Sequence, residues 1–375
     1  MSEFTTKKIT DRAGTGAPSF TYGVNIGGSD SGLIGKAYTA SGTEPSSPAN
    51  GDTWYDSTND KFYLYVNGEF KQITHANAIP PFTWGGDRAV AAGGYSSSSI
   101  TNVIDYYDIT STGNASDFGD LTNNASSHAD GLSNQTRALF THGWIGSARV
   151  NNIDYITVSS TGNATDFGDL TEVKTGNGAA SNGTRGLYAG GNSQSNVMDY
   201  VTIATTGNAI DFGDLATGTD KCSGVSDGTY GVFAGGYSSD YSNEMQFVSI
   251  ATTGNASDFG DLTVGRRGHA SVSDVTRGVY AGGQGNGINY SDTIDYITIA
   301  STGNANDFGN LSIGKRYTAG CGNSTIGTIA GGQDSNNVRT TNIDYFTIQT
   351  TANAVSFGNL TVGRYDIKGT SGNAS

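Results

Sequence analysis

The sequence predicts an all-β chain in which a six-bladed β-propeller follows an extended arm and a small β meander. Three observations lead there. The stretch STGNASDFGDLT at 111–122 returns near 160, 205, 252, 301 and 350, and its central aromatics, Phe118, Phe167, Phe212, Phe259, Phe308 and Phe357, are spaced by 49, 45, 47, 49 and 49 residues. Periods of this length mark propellers and other repeat arrays. The composition, with 56 Gly, 5 Pro and 14% charged residues among 375, suits short strands joined by turns. Finally, each period holds four strand candidates, as a propeller blade requires.

The elements follow in order. Residues 1–46 carry Gly, Ser and Thr without periodicity and read as an extended arm. The next segment, 47–78, contains GDTWYDSTNDKFYLYVNGEFKQI, whose alternation and Asn67–Gly68 turn predict a three-stranded meander. A meander of this size is too small to stand alone and calls for burial against another copy or another protein.

Residues 79–375 hold the array. In the unit at 265–312, GHASVSD predicts a small, polar first strand, RGVYAGG a second ending on a glycine pair, TIDYITIAS an alternating third and NDFGNLS a fourth. Blades are wedges, so the innermost strand has least room, which Gly268, Ala270, Ser271 and Ser273 suit and His269 does not. A first strand precedes only five of the six units. The tail GRYDIKGTSGN matches it, so the C-terminus is expected to supply the inner strand of the first blade beside DRAVAAGG, with PFTWGG at 81–86 as the alternative.

The order of these signals resembles the kelch repeat, in which a glycine doublet ends the second strand, a Tyr follows on the third and an aromatic on the fourth. The doublets are Gly93–Gly94, Gly190–Gly191, Gly235–Gly236, Gly282–Gly283 and Gly331–Gly332, and the tyrosines are Tyr106, Tyr155, Tyr200, Tyr296 and Tyr345. Phe stands where kelch repeats usually carry Trp. Two units depart: His142 replaces the first glycine in FTHGW, and Gln246 and Phe247 replace Asp and Tyr.

The net charge of −14 argues against nucleic acid and anionic membrane surfaces as partners. No stretch is long and apolar enough to insert in a bilayer, and MSEFTTKKITDRAGTG lacks the apolar centre of a signal peptide, so synthesis in a cytoplasm is expected. Cys222 and Cys321 sit at different repeat offsets, which argues against a disulfide and for two buried small residues.

Candidate chemistry is sparse. The paired acids of DFGD could bind a cation, but their recurrence favours turn capping, with Phe packed between blades. The repeated Arg88, Arg137, Arg185 and Arg277 could ring an acidic ligand; ion pairing with blade acids is the expected alternative. His75, His128, His142 and His269 have no metal-ligand spacing, and NGDTW at 50–54 occurs once, outside the array. No catalytic residue, metal or cofactor is expected.

The loops after the second strand do not repeat: YSSSSITN, WIGSARVN, NSQSNV, YSSDYSNE, QGNGINYSDT and QDSNNVRT. All should emerge on one face, with Tyr95, Trp144, Tyr237, Tyr241 and Tyr290 as exposed aromatics able to stack on sugars or protein. Polar drift of surface loops is the competing account.

The segment GTEPSSPANGDTWYDSTNDKFYLYVNGEFKQI is similar to segments of bacteriophage tail fibres and other virion appendages. DRAGTGAPSFTYGVNIGGSDSGL likewise resembles their attachment arms, especially in phages of marine bacteria. The resemblance implies a virion protein made in the host bacterial cytoplasm. Its N-terminal part would join other virion proteins or oligomerise, and its propeller face would bind a host-surface glycan or protein. A purely structural subunit contacting only virion proteins is the alternative, and a glycan-active enzyme the weaker third.

Overall fold

The computed structural model describes residues 9–10, 19–20, 39–49, 52–56, 58, 61–66, 68–72 and, apart from 98, 127 and 128, residues 85–374. Asn67, His75, His128 and residues 81–84 of the PFTWGG alternative lie outside the described residues. The chain divides into two compact units, Met1–Pro80 and Pro81–Ser375.

The first unit contains the expected meander, Thr53–Asp56, Lys61–Val66 and Glu69–Gln72. It gains a fourth strand from the segment expected as arm, because Thr39–Ser41 pairs in parallel with Thr53–Asp56. The Trp54 indole anchors that addition by donating to Ser41 O at 3.1 Å. Trp54 is buried, stacked on Tyr63 at 4.8 Å with Phe70 edge-on at 5.4 Å. Within the arm, Ile9–Thr10 also pairs with Ser19–Phe20.

The second unit is a six-bladed β-propeller of four-stranded antiparallel sheets. Among the described residues there is no α-helix and one short 3-10 turn, Asn192–Gln194. The first blade runs Lys368–Gly372, Arg88–Ala92, Val103–Asp108 and Ser116–Asp120 from the axis outward, so the C-terminus does supply its inner strand. The register pairs Lys368 with Ala92 and Gly372 with Arg88. The other blades occupy 132–169, 178–214, 223–261, 270–310 and 319–359.

At the axis the inner strands lie so close that side chains are excluded. A Cβ built on Gly224 would sit 2.3 Å from Ala179 O, and one on Gly320 2.1 Å from Ser271 O. Serines then link blade to blade: Ser181 Oγ donates to Ser133 O (2.9 Å), Ser226 Oγ to Ser181 O (2.8 Å), Ser133 Oγ to Ser371 O (2.6 Å) and Ser371 Oγ to Gly322 O. The bulky His269 is accommodated by turning away from the axis to meet Tyr280 edge-on at 5.6 Å.

The DFGD unit is a bulge. Ile104 pairs with Gly119 but Asp105 pairs with Asp117, so Phe118 is the extra, unpaired residue of the fourth strand, and all six blades repeat the irregularity. A bulge re-aims side chains and frees backbone groups. Phe118 is thereby buried against Ala138, Phe140 and Ile156 of the next blade. Its freed carbonyl accepts the N–H of Gly162 at 2.8 Å, where the next blade's TGN turn passes. Asn163 Oδ1 of that turn accepts the Asp120 N–H at 3.1 Å, and Asn114 accepts from Asn359 at 3.1 Å to close the ring. The repeated stretch is thus a strap between blades.

In five of the six blades the partner strand carries a buried acid beside the bulge. Asp105, Asp154, Asp199, Asp295 and Asp344 are fully buried and meet Arg364 (3.2 Å), His142 (2.7 Å), Lys174 (3.0 Å), Arg266 (2.9 Å) and Lys315 (3.1 Å), respectively. Four of these bases lie in the linker arriving from the preceding blade. Linker hydroxyls complete the clamp, as where Thr122 N and Oγ1 donate to Asp154 at 2.8 and 2.9 Å. Burial pulls Arg266, Lys315 and Arg364 down from their ordinary pKa values, opposed by their carboxylate partners.

The two departures from the repeat fall on this clamp. The linker entering the second blade has Ala125 where others have a base, and His142 reaches the acid from the second strand instead. The linker entering the fourth blade has Thr219 there, and the acid has become Gln246, which donates to Thr217 O and accepts from Thr217 N, both at 3.0 Å. A buried carboxylate without a partner is costly; the second blade supplies one from its own second strand, and the fourth has no carboxylate there.

Two outcomes test this packing by urea unfolding. Phe259→Ala should cost about 3–5 kcal/mol, the range for a buried large aromatic. Lys315→Met should cost about 3–5 kcal/mol by stranding Asp344, whereas Lys315→Met with Asp344→Leu should recover most of the loss. Equal losses in the single and double variants would refute the ion-pair account.

Candidate binding face

The two faces of the propeller are built differently. On one, the turn between first and second strands repeats: Asn134, Asn182, Asp227, Asp274 and Asn323 each accept the N–H three residues on at 2.7–2.8 Å. These are Asx turns, which side chains of this length favour. The repeated arginines start here, and they do not pair with the blade acids as expected. Arg88, Arg137, Arg185 and Arg277 donate to Val158 O, Ile203 O, Ile250 O and Ile348 O of the next blade, each at 3.0 Å. Each guanidinium lies 4.2–5.0 Å over the blade tyrosine. That aromatic seat aims the planar donor at the end of the neighbouring third strand, away from the fourth-strand acids.

The opposite face collects the six varied loops. Inter-blade linkers hold them: Ser126 bridges Trp144, Asp220 bridges Tyr237, Tyr365 bridges Tyr95, and Arg266–Arg267 and Lys315–Arg316 pair with Gln284–Gly285 and Gln333–Asp334. All five expected aromatics are on this face, but only Trp144, at 39%, is exposed. The tyrosines are half-buried against arginines, two from linkers and one, Arg339, from the sixth loop. Arg267 lies 5.0 and 5.4 Å over Tyr237 and Tyr241, Arg316 4.7 Å over Tyr290, and Arg339 5.8 Å over Tyr95. Tyr365 completes the last group, 5.6 Å from Tyr95, and Tyr290 Oη donates to Asn337 Oδ1 at 2.6 Å. Arg267, Arg316, Tyr317 and Tyr365 of the linkers and Arg339 of the sixth loop were not singled out by the sequence, since nothing there announced that linkers and loops meet.

Exposed apolar side chains gather here too. Trp144, Ile288 and Val338 stand on the loops and Val173, Val264, Ile313 and Val362 on the linkers, leaving only Ile210 and Val355 elsewhere among the described residues. Clustered exposed apolar groups mark interaction surfaces more than single ones do.

At the axis the linkers form a chain: Lys221 N donates to Gly176 O (2.7 Å), Gly268 N to Lys221 O (3.0 Å), Tyr317 N to Gly268 O (2.6 Å) and Asp366 N to Tyr317 O (3.0 Å). All five residues have left-handed backbones. Lys221 Nζ reaches across the mouth to Asp366 Oδ1 at 3.8 Å and lies 4.2 Å over Tyr317. Burial draws the Lys221 pKa down, but Asp366, Tyr317 and Asp220 outweigh it and the net shift is upward. A cleft of about 400 Å³ opens beside the mouth.

Below the mouth, Asp130 faces the narrow axial channel and accepts the N–H groups of Gly224 at 2.8 Å and Ala179 at 3.4 Å. Desolvation raises its pKa from 3.8 to about 7 despite those bonds. Cys222 and Cys321 are buried free thiols, and burial pushes both up to about 12. Among the described residues no cluster of three or more His, Cys, Asp or Glu could hold a metal ion.

No protein-family model matches the chain, and no curated protein matches it.

The Asp130 shift has a measurable sign. The folded chain binds this proton more tightly than the unfolded chain, so the contribution is full below the ordinary carboxyl value and is lost as pH rises through about 7. Relative to Asp130→Asn, the parent protein should therefore lose stability between about pH 4 and about pH 7, read from urea midpoints. Parallel pH profiles would show that Asp130 titrates normally.

Proposed function

We propose that the chain is a virion appendage protein of a bacteriophage, a binding protein rather than an enzyme. Its N-terminal part attaches to the particle, and its propeller engages a glycan or protein on the host surface. The first part of this reading rests on the resemblance of residues 11–33 and 42–73 to attachment-arm and tail-fibre segments. The second rests on the contrast between the faces. One face repeats the same Asx turn and arginine strap, while the other carries six dissimilar loops and seven of the nine exposed large apolar side chains. Uniformity on one side and variation on the other, over one scaffold, is the arrangement of a recognition surface.

A structural virion subunit is the second reading. Val264, Ile313 and Val362 occupy the same place in three linkers, and a repeated aliphatic position suits a protein neighbour.

The fluorescently labelled full chain should bind saturably to cells of the bacterium the parent phage infects. Binding should fall at least about tenfold when Trp144→Ala, Ile288→Ser and Val338→Ser are combined, with the circular dichroism spectrum unchanged. A parent protein that ignores the cells but is found in purified particles would support the structural subunit.

A further inference from the structure

We propose that the cleft at the axial mouth is a subsite for one neutral sugar ring, a refinement that rests on the loop-face reading. The two loops around it are the least typical of the six. In the second blade the second strand runs eight residues, Arg137–Trp144, and pairs on to Arg149, so this loop stands up as a hairpin. In the third blade the loop is the 3-10 turn, with Ser193 and Gln194 at φ 60 and 59. The cleft lies between them, with Trp144 and Arg149 from the hairpin, Asn192 from the turn and Asp220, Lys221 and Asp366 from the linkers on its wall.

The backbone at the mouth points to function. Two linkers place glycine, Gly176 and Gly268, at the left-handed position of the chain of hydrogen bonds, which is the unstrained choice. Three others place Lys221, Tyr317 and Asp366 there at φ 62, 59 and 56. Side chains in that region carry strain, and such strain concentrates at ligand sites. The side chains gained are a cation, a phenol and a carboxylate within reach of one another.

The donor and acceptor inventory narrows the ligand class. Asp220 Oδ1 is a buried acceptor without a hydrogen-bond donor among the described residues, and Asp366 Oδ1, also buried, has the Lys221 ammonium at 3.8 Å, beyond hydrogen-bond reach. Buried acceptors of this kind call for donors, which sugar hydroxyls supply. Arg149 offers donors from an exposed position, and Trp144 offers an exposed ring for the apolar face of a pyranose. Two carboxylates against two cations leave the cleft without net charge, which favours a neutral sugar over a uronic acid or an amino sugar. Its volume is at the lower end for small-molecule sites.

The full chain is titrated with glucose, galactose, rhamnose and N-acetylglucosamine, with galacturonic acid and glucosamine as charged controls and a neutral bacterial polysaccharide as the polymeric arm. Binding is followed by calorimetry and tryptophan fluorescence. At least one neutral sugar should saturate, and Trp144→Phe should keep the heat of binding while losing the fluorescence change. Trp144→Ala and Asp220→Ala should each weaken binding about tenfold or more. A response to the polysaccharide exceeding that of its free sugar would identify a polymer as the source. Preference for the charged controls, indifference to both substitutions, or no saturation by any neutral sugar up to about 100 mM would overturn the subsite. The two readings fail separately. Cell binding that survives Trp144→Ala and Asp220→Ala but not Ile288→Ser with Val338→Ser retains the loop face and removes the cleft. Sugar binding without cell binding retains the cleft and removes the host-surface reading.

Discussion

A buried carboxylate opposite a strand bulge is the constraint on which the propeller depends. The bulge expels Phe118 and its equivalents into the space between blades and frees their carbonyls for the next blade's turn. The same irregularity lies beside Asp105, Asp154, Asp199, Asp295 and Asp344 in the dry interior, where four meet a lysine or arginine and Asp154 meets the His142 imidazole. The four lysine and arginine partners arrive on the linker from the preceding blade. Those four blades are therefore not completed by their own strands, and the second and fourth still take linker hydrogen bonds from Thr122 and Thr217, so that the sheets become one cooperative ring. Closure by Lys368–Gly372 applies the same rule at the chain ends, since Arg364, just before that strand, clamps Asp105 of the first blade.

Crowding at the axis divides labour between the faces. Inner strands packed at glycine distance leave side chains little room, so side-chain variety lies at the mouth and on the loops. The turn face is committed to holding blades together through its Asx turns and arginine straps. The loop face is held by short pairings between loop and linker, which fix backbone position while leaving side-chain identity open.

Much of this was legible in the sequence. The spacing of Phe118 through Phe357 gave the ring, and counting inner strands located the C-terminal one, because hydrophobic period and small-residue content report directly on the wedge shape of a blade. Contacts between repeats were less legible. The alternation places Arg88, Arg137, Arg185 and Arg277 correctly on strand starts but cannot show that each sits on a tyrosine and reaches a carbonyl. Lys174, Arg266, Lys315 and Arg364 did carry a signal, a base three residues after Thr or Ser in four of six linkers, yet a base in a polar linker reads as solvated. The left-handed Lys221, Tyr317 and Asp366 carried none, since only glycine advertises that conformation in a sequence.

The repeat abandons its linker base in two places, and both reach the mouth cleft. His142 lies two residues before Trp144, and Thr219, which stands where a base is missing, immediately precedes Asp220 and Lys221. Both departures thus adjoin walls of the mouth cleft, and in the other four blades the clamp keeps its linker base and its acid. A linker whose base is anchored on a buried acid is fixed in path and in charge. Replacing that anchor by a histidine from the neighbouring strand, or by a neutral Gln246 that pairs with Thr217 backbone, keeps the interior satisfied while releasing the linker from that requirement. Of the four linkers that reach the cleft, the two carrying Ser126 and Asp220–Lys221 are released in this way, while the two carrying Thr175–Gly176 and Asp366 stay anchored by Lys174 and Arg364, so the cleft joins two fixed walls to two freed ones.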